Sequence, residues 1–417
     1  MLDNDMIEFL TYRNAMKSNY RKGVHALRCI LNNRKQAETF AGSLGGVSVV
    51  LGVSQPDGNS EALRALLEGS AVIDQATLTW LKNWWPEQCG SWDTLAADQG
   101  RCSTIATDPF LWERVGASPV GAGKILAGLV GQDSRNFVAM QAVASSATAM
   151  QAVAVSPVAI AAIYRSDVAL SAVDSEVSAA ATFYGADSVA MGKAVVILAG
   201  LDPAGYADMS AVAASATAMS AVAANYVALV ALYSNAEALS IAQGTTVGAA
   251  ALAGAGSVAT GKAAVKLAGL DPDDFADMAA VAASSTAMAA VAASATARSA
   301  IAGSSAAREE LKKSPLIVEK TGIIPNGSTY WNSTGITLTS IKGVLIATSA
   351  GNSDNALTIL AIDDATLATD EQTRNAAPKN NSGYLSWIDS QPNYLWVRQK
   401  IRMAAYYTST KVKYIPC

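Results

Sequence analysis

The sequence predicts a multidomain α plus β protein with a mainly helical N-terminal domain, a central Ala-rich array of short capped helices and a C-terminal antiparallel β domain. Three changes of composition predict this division. Five of the eight tryptophans lie before residue 116, residues 116–313 contain none and are mostly Ala, Val, Ser and Met, and residues 314–417 turn to Thr, Ile, Tyr, Trp, Asn and Gly. We therefore predict domains at 1–115, 116–313 and 314–417.

The N-terminal domain begins with a pattern typical of an amphipathic helix. Its apolar residues follow helical spacing at Met16, Tyr20, Val24, Leu27 and Leu31. Residues 13–35 also hold seven Lys or Arg residues and no acid. We interpret this stretch as a solvated face or a docking surface for an acidic protein partner. Contact with nucleic acid is the alternative that the pattern favours less.

The central region repeats every 69 residues. Met140, Met209 and Met278 share this spacing, as do Phe137, Tyr206 and Phe275. Each copy contains a Gly-Lys pair and the sequence LAGL, with a shorter interval between them in the first copy. Such self-similarity indicates units that bury their apolar faces only against neighbouring units.

A second period of ten residues lies within the first. Apolar anchors such as Met140, Met150 and Ile160 recur at this spacing, and a residue typical of helix N-caps stands four positions before most anchors. We predict a helix of about two turns after each cap. The predicted caps are Asn136, Ser146, Ser156, Ser166, Gly205, Ser215, Asn225, Asn235, Asp274, Ser284 and Ser294.

A continuous coiled coil is the alternative for this region. It requires apolar residues that average 3.5 positions apart, whereas these anchors recur at intervals of three and seven. The repeated caps and Pro157 favour interrupted helices, since Pro is best tolerated in the first helical turn.

The last domain shows the alternation and turn residues typical of strands. We predict strands at 343–348, 356–362, 384–387 and 394–397, separated by turns rich in Asn and Gly. Aromatic residues of this domain form a candidate surface for contact with a receptor: Tyr330, Trp331, Trp387, Tyr394 and Trp396.

The sequence predicts no catalytic, cofactor-binding or metal-binding residues. His25 is the only histidine, so no site with two imidazole ligands can form. The segment from Gly256 to Ala263 resembles a P-loop, but Ala263 replaces the Ser or Thr that would hold magnesium. The acids near Asp271 are typical of calcium ligands or of a helix cap before Pro272, and the uneven conservation of these acids among the copies favours the cap.

Cysteine use and hydropathy favour a chain assembled in the cytoplasm without membrane insertion. The four cysteines form no CxxC pair; Cys89 and Cys102 could pair, but reduced thiols are the simpler interpretation. The uncharged stretch 209–236 is long enough to span a membrane, yet it is dominated by Ala and lacks the Leu, Ile and Phe that favour insertion. No signal peptide is recognised at the N-terminus.

The runs SSATAMQAVA, SATAMSAVAA and SSTAMAAVAASATA resemble the Ala-rich repeats of tail-fibre and appendage proteins of tailed bacteriophages. The resemblance covers about residues 116–308. It implies a virion structural protein, commonly a homotrimer, with an N-terminal region that attaches to other virion proteins, a repetitive shaft and a β tip that contacts a host surface glycan or protein.

Two other functions stay open. A bacterial surface adhesin or repeat scaffold would explain the repeats, although the absence of a recognised signal peptide counts against it. A tailspike glycosidase would need two catalytic carboxylates, and residues 314–417 hold several acids without an evident pair.

Overall fold

The computed structural model describes residues 77, 78, 81, 90–323, 336–339, 343–350, 358–364, 372–376, 385–386, 396–404 and 409–417. Within these ranges the chain is mostly helical, with a small antiparallel sheet near the C-terminus, as the sequence predicts. The predicted helix over residues 16–31, the basic stretch and His25 lie outside the described residues.

The helices are short and follow one another closely. Their bounds are α1 Trp92–Ala96, α2 Gln99–Thr107, α3 Pro109–Val115, α4 Pro119–Leu129, α5 Met140–Ala144, α6 Ala147–Ala154, α7 Pro157–Tyr164, α8 Asp167–Asp174, α9 Val177–Tyr184, α10 Ser188–Leu198, α11 Met209–Ala214, α12 Ala216–Ala224, α13 Tyr226–Ser234, α14 Ala236–Gly244, α15 Thr246–Ala253, α16 Ser257–Leu267, α17 Met278–Ala283, α18 Ser285–Ala293, α19 Ala295–Gly303 and α20 Ser305–Lys312. Short 3-10 turns span Ser134–Asn136, Pro203–Gly205 and Pro272–Asp274.

Side-chain caps begin most of these helices. At eight of the predicted positions the side-chain oxygen accepts a hydrogen bond from a backbone N–H of the first helical turn. These confirmed caps are Ser146, Ser156, Ser166, Ser215, Asn225, Asn235, Ser284 and Ser294.

Three predicted caps are wrong. Asn136, Gly205 and Asp274 each end a 3-10 turn instead of starting an α-helix. The helix that follows begins four residues later in each copy, at the Met anchor itself. In the later copies Asp208 and Asp277 provide the cap, because their carboxylates accept from Ala211 N at 2.9 Å and from Ala280 N at 3.0 Å.

The helices are separate elements and not one continuous coil. The axes of α6 and α7 differ by 102°, and those of α12 and α13 by 103°. Pro157 occupies the first position of α7, as the sequence predicts. The continuous coiled coil is therefore wrong for these residues.

Glycine ends the longest helix of each copy. Gly131, Gly200 and Gly269 have φ of 73°, 79° and 78°, a region that other residues rarely adopt. The residue after each glycine donates to a carbonyl five positions earlier, as Leu201 N does to Val196 O at 3.0 Å. Gly131 thus takes the place of the glycine in the later LAGL sequences, and the LAGL of the first copy lies elsewhere, inside α4.

Capped helices also precede residue 116. Asp98 and Asp108 cap α2 and α3, and Ser118, just after this position, caps α4 at the same ten-residue spacing. The indole Nε1 of Trp112 in α3 donates to Ala162 O in α7 at 2.7 Å. The described helices before the predicted boundary therefore pack with helices that follow it.

The chain forms two packed units, residues 1–212 with 235–242, and residues 213–234 with 243–417. In the first unit the anchors Met140, Met150 and Ile160 are almost completely buried. In the second, Met219, Met278 and Met288 are equally buried. These six anchors of the ten-residue period therefore lie in the cores, whereas the predicted anchor Leu239 is only half-buried.

The antiparallel sheet belongs to the second unit. Its strands are β1 Val318–Ile323, β2 Ile336–Thr339, β3 Gly343–Ala350, β4 Thr358–Asp364, β5 Gln372–Ala376, β6 Leu385–Ser386, β7 Trp396–Ala404 and β8 Ser409–Pro416. The main order is β1-β8-β3-β7-β4-β5, with β2 paired to β7 and β6 paired to β3. Four strands overlap the predicted ones, whereas β1, β2, β5 and β8 were not predicted.

One hydrophobic core joins this sheet to the helices of the same unit. Val344, Trp396, Val412 and Ile415 belong to the cluster that contains Met278, Met288, Ile301 and Leu311. The sheet residues of this cluster therefore share one core with helices α17 to α20.

Candidate functional site

The Gly-Lys pairs mark close helix contacts. A β-carbon on Gly123, Gly192 or Gly261 would lie 2.4 Å from the backbone nitrogen of Met140, Met209 or Met278, respectively. Only glycine allows this approach, and the three positions lie 69 residues apart.

The glycine that makes the segment resemble a P-loop, Gly261, serves this close helix contact. Gly261 and Lys262 lie in the middle of α16, and Gly256 immediately precedes it. A phosphate-binding P-loop places its glycines in a loop before the helix. The segment therefore lacks the backbone shape of a P-loop.

The lysine of the first Gly-Lys pair lies in a mostly buried polar cluster. Lys124 Nζ lies 2.7 Å from an Asp93 carboxylate oxygen and donates to Ser134 O at 2.9 Å, while Ser134 Oγ donates to the same carboxylate at 2.8 Å. Burial alone would raise the pKa of Asp93, but the hydrogen bonds from Lys124 and Ser134 outweigh it, and the pKa lies below its usual value. The cluster ties α1 to α4 and to the turn that follows α4.

A buried polar residue recurs at the start of one helix in each copy. Ser166, Asn235 and Ser304 lie 69 residues apart and are at most 4% exposed. Each caps its own helix and also donates to a backbone carbonyl 49–50 residues earlier: Ser166 to Gly116, Asn235 to Ala186 and Ser304 to Ala255. One side chain thus satisfies two buried backbone groups on different elements.

A second recurring position differs among the copies. Thr245 Oγ1 donates to Ala213 O at 3.0 Å, and Ser314 Oγ donates to Ala282 O. In the first copy Glu176 takes this place and instead accepts from Gln141 Nε2 at 2.9 Å and from Ser145 Oγ at 3.2 Å. The first copy therefore has exposed side-chain hydrogen bonds where the later copies have a part-buried or buried hydrogen bond to a backbone carbonyl.

The acidic turns act as caps. Asp202 Oδ1 accepts from Ala204 N at 2.9 Å, and Asp271 Oδ1 accepts from Asp273 N at 3.0 Å, with Pro203 and Pro272 first in the turns. The predicted capping role is confirmed, although each cap begins a 3-10 turn. No group of three or more potential metal ligands occurs among the described residues.

Cys102 is a buried thiol packed between helices. Burial raises its pKa to about 12, so it is protonated at neutral pH and a poor nucleophile. Cys89, with which it could pair, lies outside the described residues.

The predicted receptor residues lie mostly outside the described ranges. This applies to Tyr330, Trp331, Trp387 and Tyr394, for which receptor contact stays a prediction. Trp396 begins β7, faces Val344 across the strand pair and is 3% exposed. Because its side chain is buried in the core, Trp396 is not part of the proposed receptor surface.

None of the described helices is by itself long and apolar enough to cross a membrane. Three pairs bent at a short break, α6 with α7, α9 with α10 and α12 with α13, reach that length and composition together.

No known protein-family model matches the sequence, and no curated protein is significantly similar to it.

Proposed function

We propose that this chain is a non-enzymatic structural protein of a bacteriophage virion, a tail fibre or related appendage. Residues 1–115 would attach to other virion proteins, and the C-terminal β domain would contact a glycan or protein of the host surface. We further propose that the chain is a homotrimer, that it assembles in the host cytoplasm without nucleic acid, cofactor or membrane insertion, and that residues 116–313 form a helical array with ten-residue units and a 69-residue super-repeat.

One observation supports this proposal above the others. Buried polar or close-packed positions 69 residues apart serve the same structural purpose, as Ser166, Asn235 and Ser304 do. These side chains thus join elements that are distant in the sequence. A chain whose distinctive residues build a repeated framework suits a spacer, because each further unit adds length with the same contacts.

The test is to locate the chain on particles. Virions from infected or induced cultures of the source strain are purified by density gradient, digested for peptide mass spectrometry and labelled with gold-conjugated antibody against the chain. We expect peptides of this chain in the particle band and gold on an appendage. A non-structural phage protein serves as the control for contamination.

Two results would contradict the proposal. Chain found only in the cell envelope would favour the surface-adhesin function. Release of reducing sugar from host polysaccharide by the purified chain, lost on substitution of acids in residues 314–417, would identify a glycosidase.

A further inference from the structure

The most exposed large apolar side chains of the described residues belong to the first copy of the 69-residue repeat. Val177, Val138 and Val155 are 87%, 74% and 67% exposed, respectively. The equivalent positions of the later copies hold smaller residues: Thr246 and Pro315, Ala207 and Ala276, and Ala224 and Ala293. A side chain that is so exposed adds little to the packing of its own fold. The larger residues of the first copy are therefore candidates for contact with another segment or chain.

These valines lie around three neighbouring helices, α5, α6 and α9. Glu176, which precedes α9, accepts hydrogen bonds from Gln141 of α5 and from Ser145 at the end of α5. Val177 is the next residue and begins α9. Helix α6 packs against α9 and is followed directly by Val155. Because α6 and α9 each have eight residues and are about 12 Å long, the exposed residues at their ends lie in one region of the surface.

Asp174 and Glu176 give the same region negative charge. Asp174 Oδ1 accepts from Tyr184 Oη at 2.5 Å, and Glu176 accepts from neutral side chains. Among the described residues, no Lys or Arg forms an ion pair with either carboxylate. Residues 136–192 hold four acids and a single Lys or Arg, Arg165, whose guanidinium donates to two backbone carbonyls. The region thus combines apolar side chains with an excess of negative charge.

We propose that this region, the first-copy face, binds the basic segment at residues 13–35 of the same chain. The face consists of Val138, Val155, Val177, Asp174 and Glu176. The segment contains seven Lys or Arg residues and no acid, and its apolar residues follow helical spacing. A basic amphipathic segment complements a surface that combines carboxylates with apolar side chains. The later copies offer no such complement, because they hold no acid at the positions of Asp174 and Glu176.

The basic segment is connected closely enough to reach this face within one chain. Residues 36–76 join it to Thr77 and Leu78, the first described residues. A stretch of that length spans up to about 130 Å when extended. Attachment within one chain also gives the segment a higher effective concentration at the face than a second copy provides. The inference does not depend on the virion proposal, since it concerns two parts of one chain.

The experiment cross-links the full chain with a carbodiimide, which joins a lysine amine to a carboxylate in contact with it. The single-chain band of a denaturing gel is then digested, and linked peptides are identified by mass spectrometry. The test variant carries Val138→Ala, Val155→Ala and Val177→Thr, the residues of the second copy, and keeps every amine and carboxylate. The matched control carries Val189→Ala and Val258→Ala, at positions that are 50% and 56% exposed. Circular dichroism and the melting temperature check that each variant folds.

We expect cross-links from Lys17 or Lys22 to Asp174 or Glu176, with a yield that falls as salt rises. The test variant should give about tenfold fewer of these cross-links, because three apolar contacts are reduced, and the control should match the original chain. Equal yields in the original chain and in a folded test variant would overturn the inference. So would the absence of these cross-links from the single-chain band, even if they occur in bands of two or more chains.

Discussion

At the scale of single residues, this protein compensates for small side chains by close backbone approach. Alanine buries little area, so stability depends on bringing many backbones together. Gly261 permits such an approach where α16 meets Met278 at the start of α17.

Gly261→Ala should therefore destabilise the protein by about 1–3 kcal/mol, because the added β-carbon meets backbone atoms that cannot rotate away. Gly244→Ala is the matched control, since no atom lies within 4 Å of its added β-carbon. Urea unfolding of both variants measures the difference. Equal stabilities would show that α16 and α17 separate without cost.

The Asp93 cluster makes a prediction about pH. The pKa of Asp93 is lower in the folded chain than its ordinary 3.8, so its ionised form stabilises the fold above that pH. This stabilisation is lost as the pH falls through the folded pKa. The difference in unfolding free energy between the original chain and Asp93→Asn should be largest near neutrality and shrink below about pH 3.8.

Lys124→Met is the companion variant for this measurement. It removes the ammonium group that lowers the pKa of Asp93, so the pH-dependent part of the stability should shrink in the same range. A difference between the original chain and Asp93→Asn that stays constant from pH 7 to pH 2 would contradict the assignment.

At the scale of helices, a capping residue that also bonds to a second element should contribute more to the free energy of unfolding than one that only caps its helix. Ser304 Oγ accepts from Ala307 N at 3.1 Å and donates to Ala255 O at 2.7 Å. Ser284 Oγ accepts from Ala287 N at 3.2 Å and is only half-buried. Ser304→Ala should cost about 2–3 kcal/mol, since it leaves a buried carbonyl unpaired.

Ser284→Ala should cost about 1 kcal/mol, the usual value of a cap. Thermal or urea unfolding of the two variants compares them within one repeat sequence. A larger loss for Ser284→Ala would show that the bond to Ala255 does not stabilise the fold.

The caps were predictable from sequence because capping is local. The side chain of Ser146 or Asn225 bonds only to the first turn of the helix that it caps. The partners of Ser166 and Asn235 were not predictable, since their carbonyls lie 49–50 residues away and depend on packing. The predicted cap at Asn136 was wrong because the ten-residue period alone does not distinguish a 3-10 turn from the start of an α-helix.

The sheet was predicted in part for a similar reason. β3 and β4 are apolar enough to indicate strands. In β8 the lysines on both sides of Val412 leave few apolar residues, so its sequence indicates a strand less strongly. Trp396 is buried in the core that the sheet shares with the last helices, and no local pattern specifies this packing. The aromatic receptor surface therefore could not be separated from the core by residue type.

At the scale of the whole molecule, the proposed trimer comes from the resemblance to phage appendage proteins, and the small area that one chain can bury is a physical reason to expect association. Residues 116–313 contain no tryptophan, and alanine-rich surfaces gain little from burial unless they pack closely. A structural appendage must nevertheless resist unfolding outside the cell, and association adds stability through mass action. We therefore expect a species of three times 42.8 kDa in sedimentation equilibrium of the full chain.

The dependence of the melting temperature on chain concentration tests whether association stabilises the fold. If association stabilises the fold, the melting temperature should rise with chain concentration over the range in which the trimer forms. A monomer at micromolar concentration would contradict the trimer, and the virion proposal would then require stabilising contacts from a different protein.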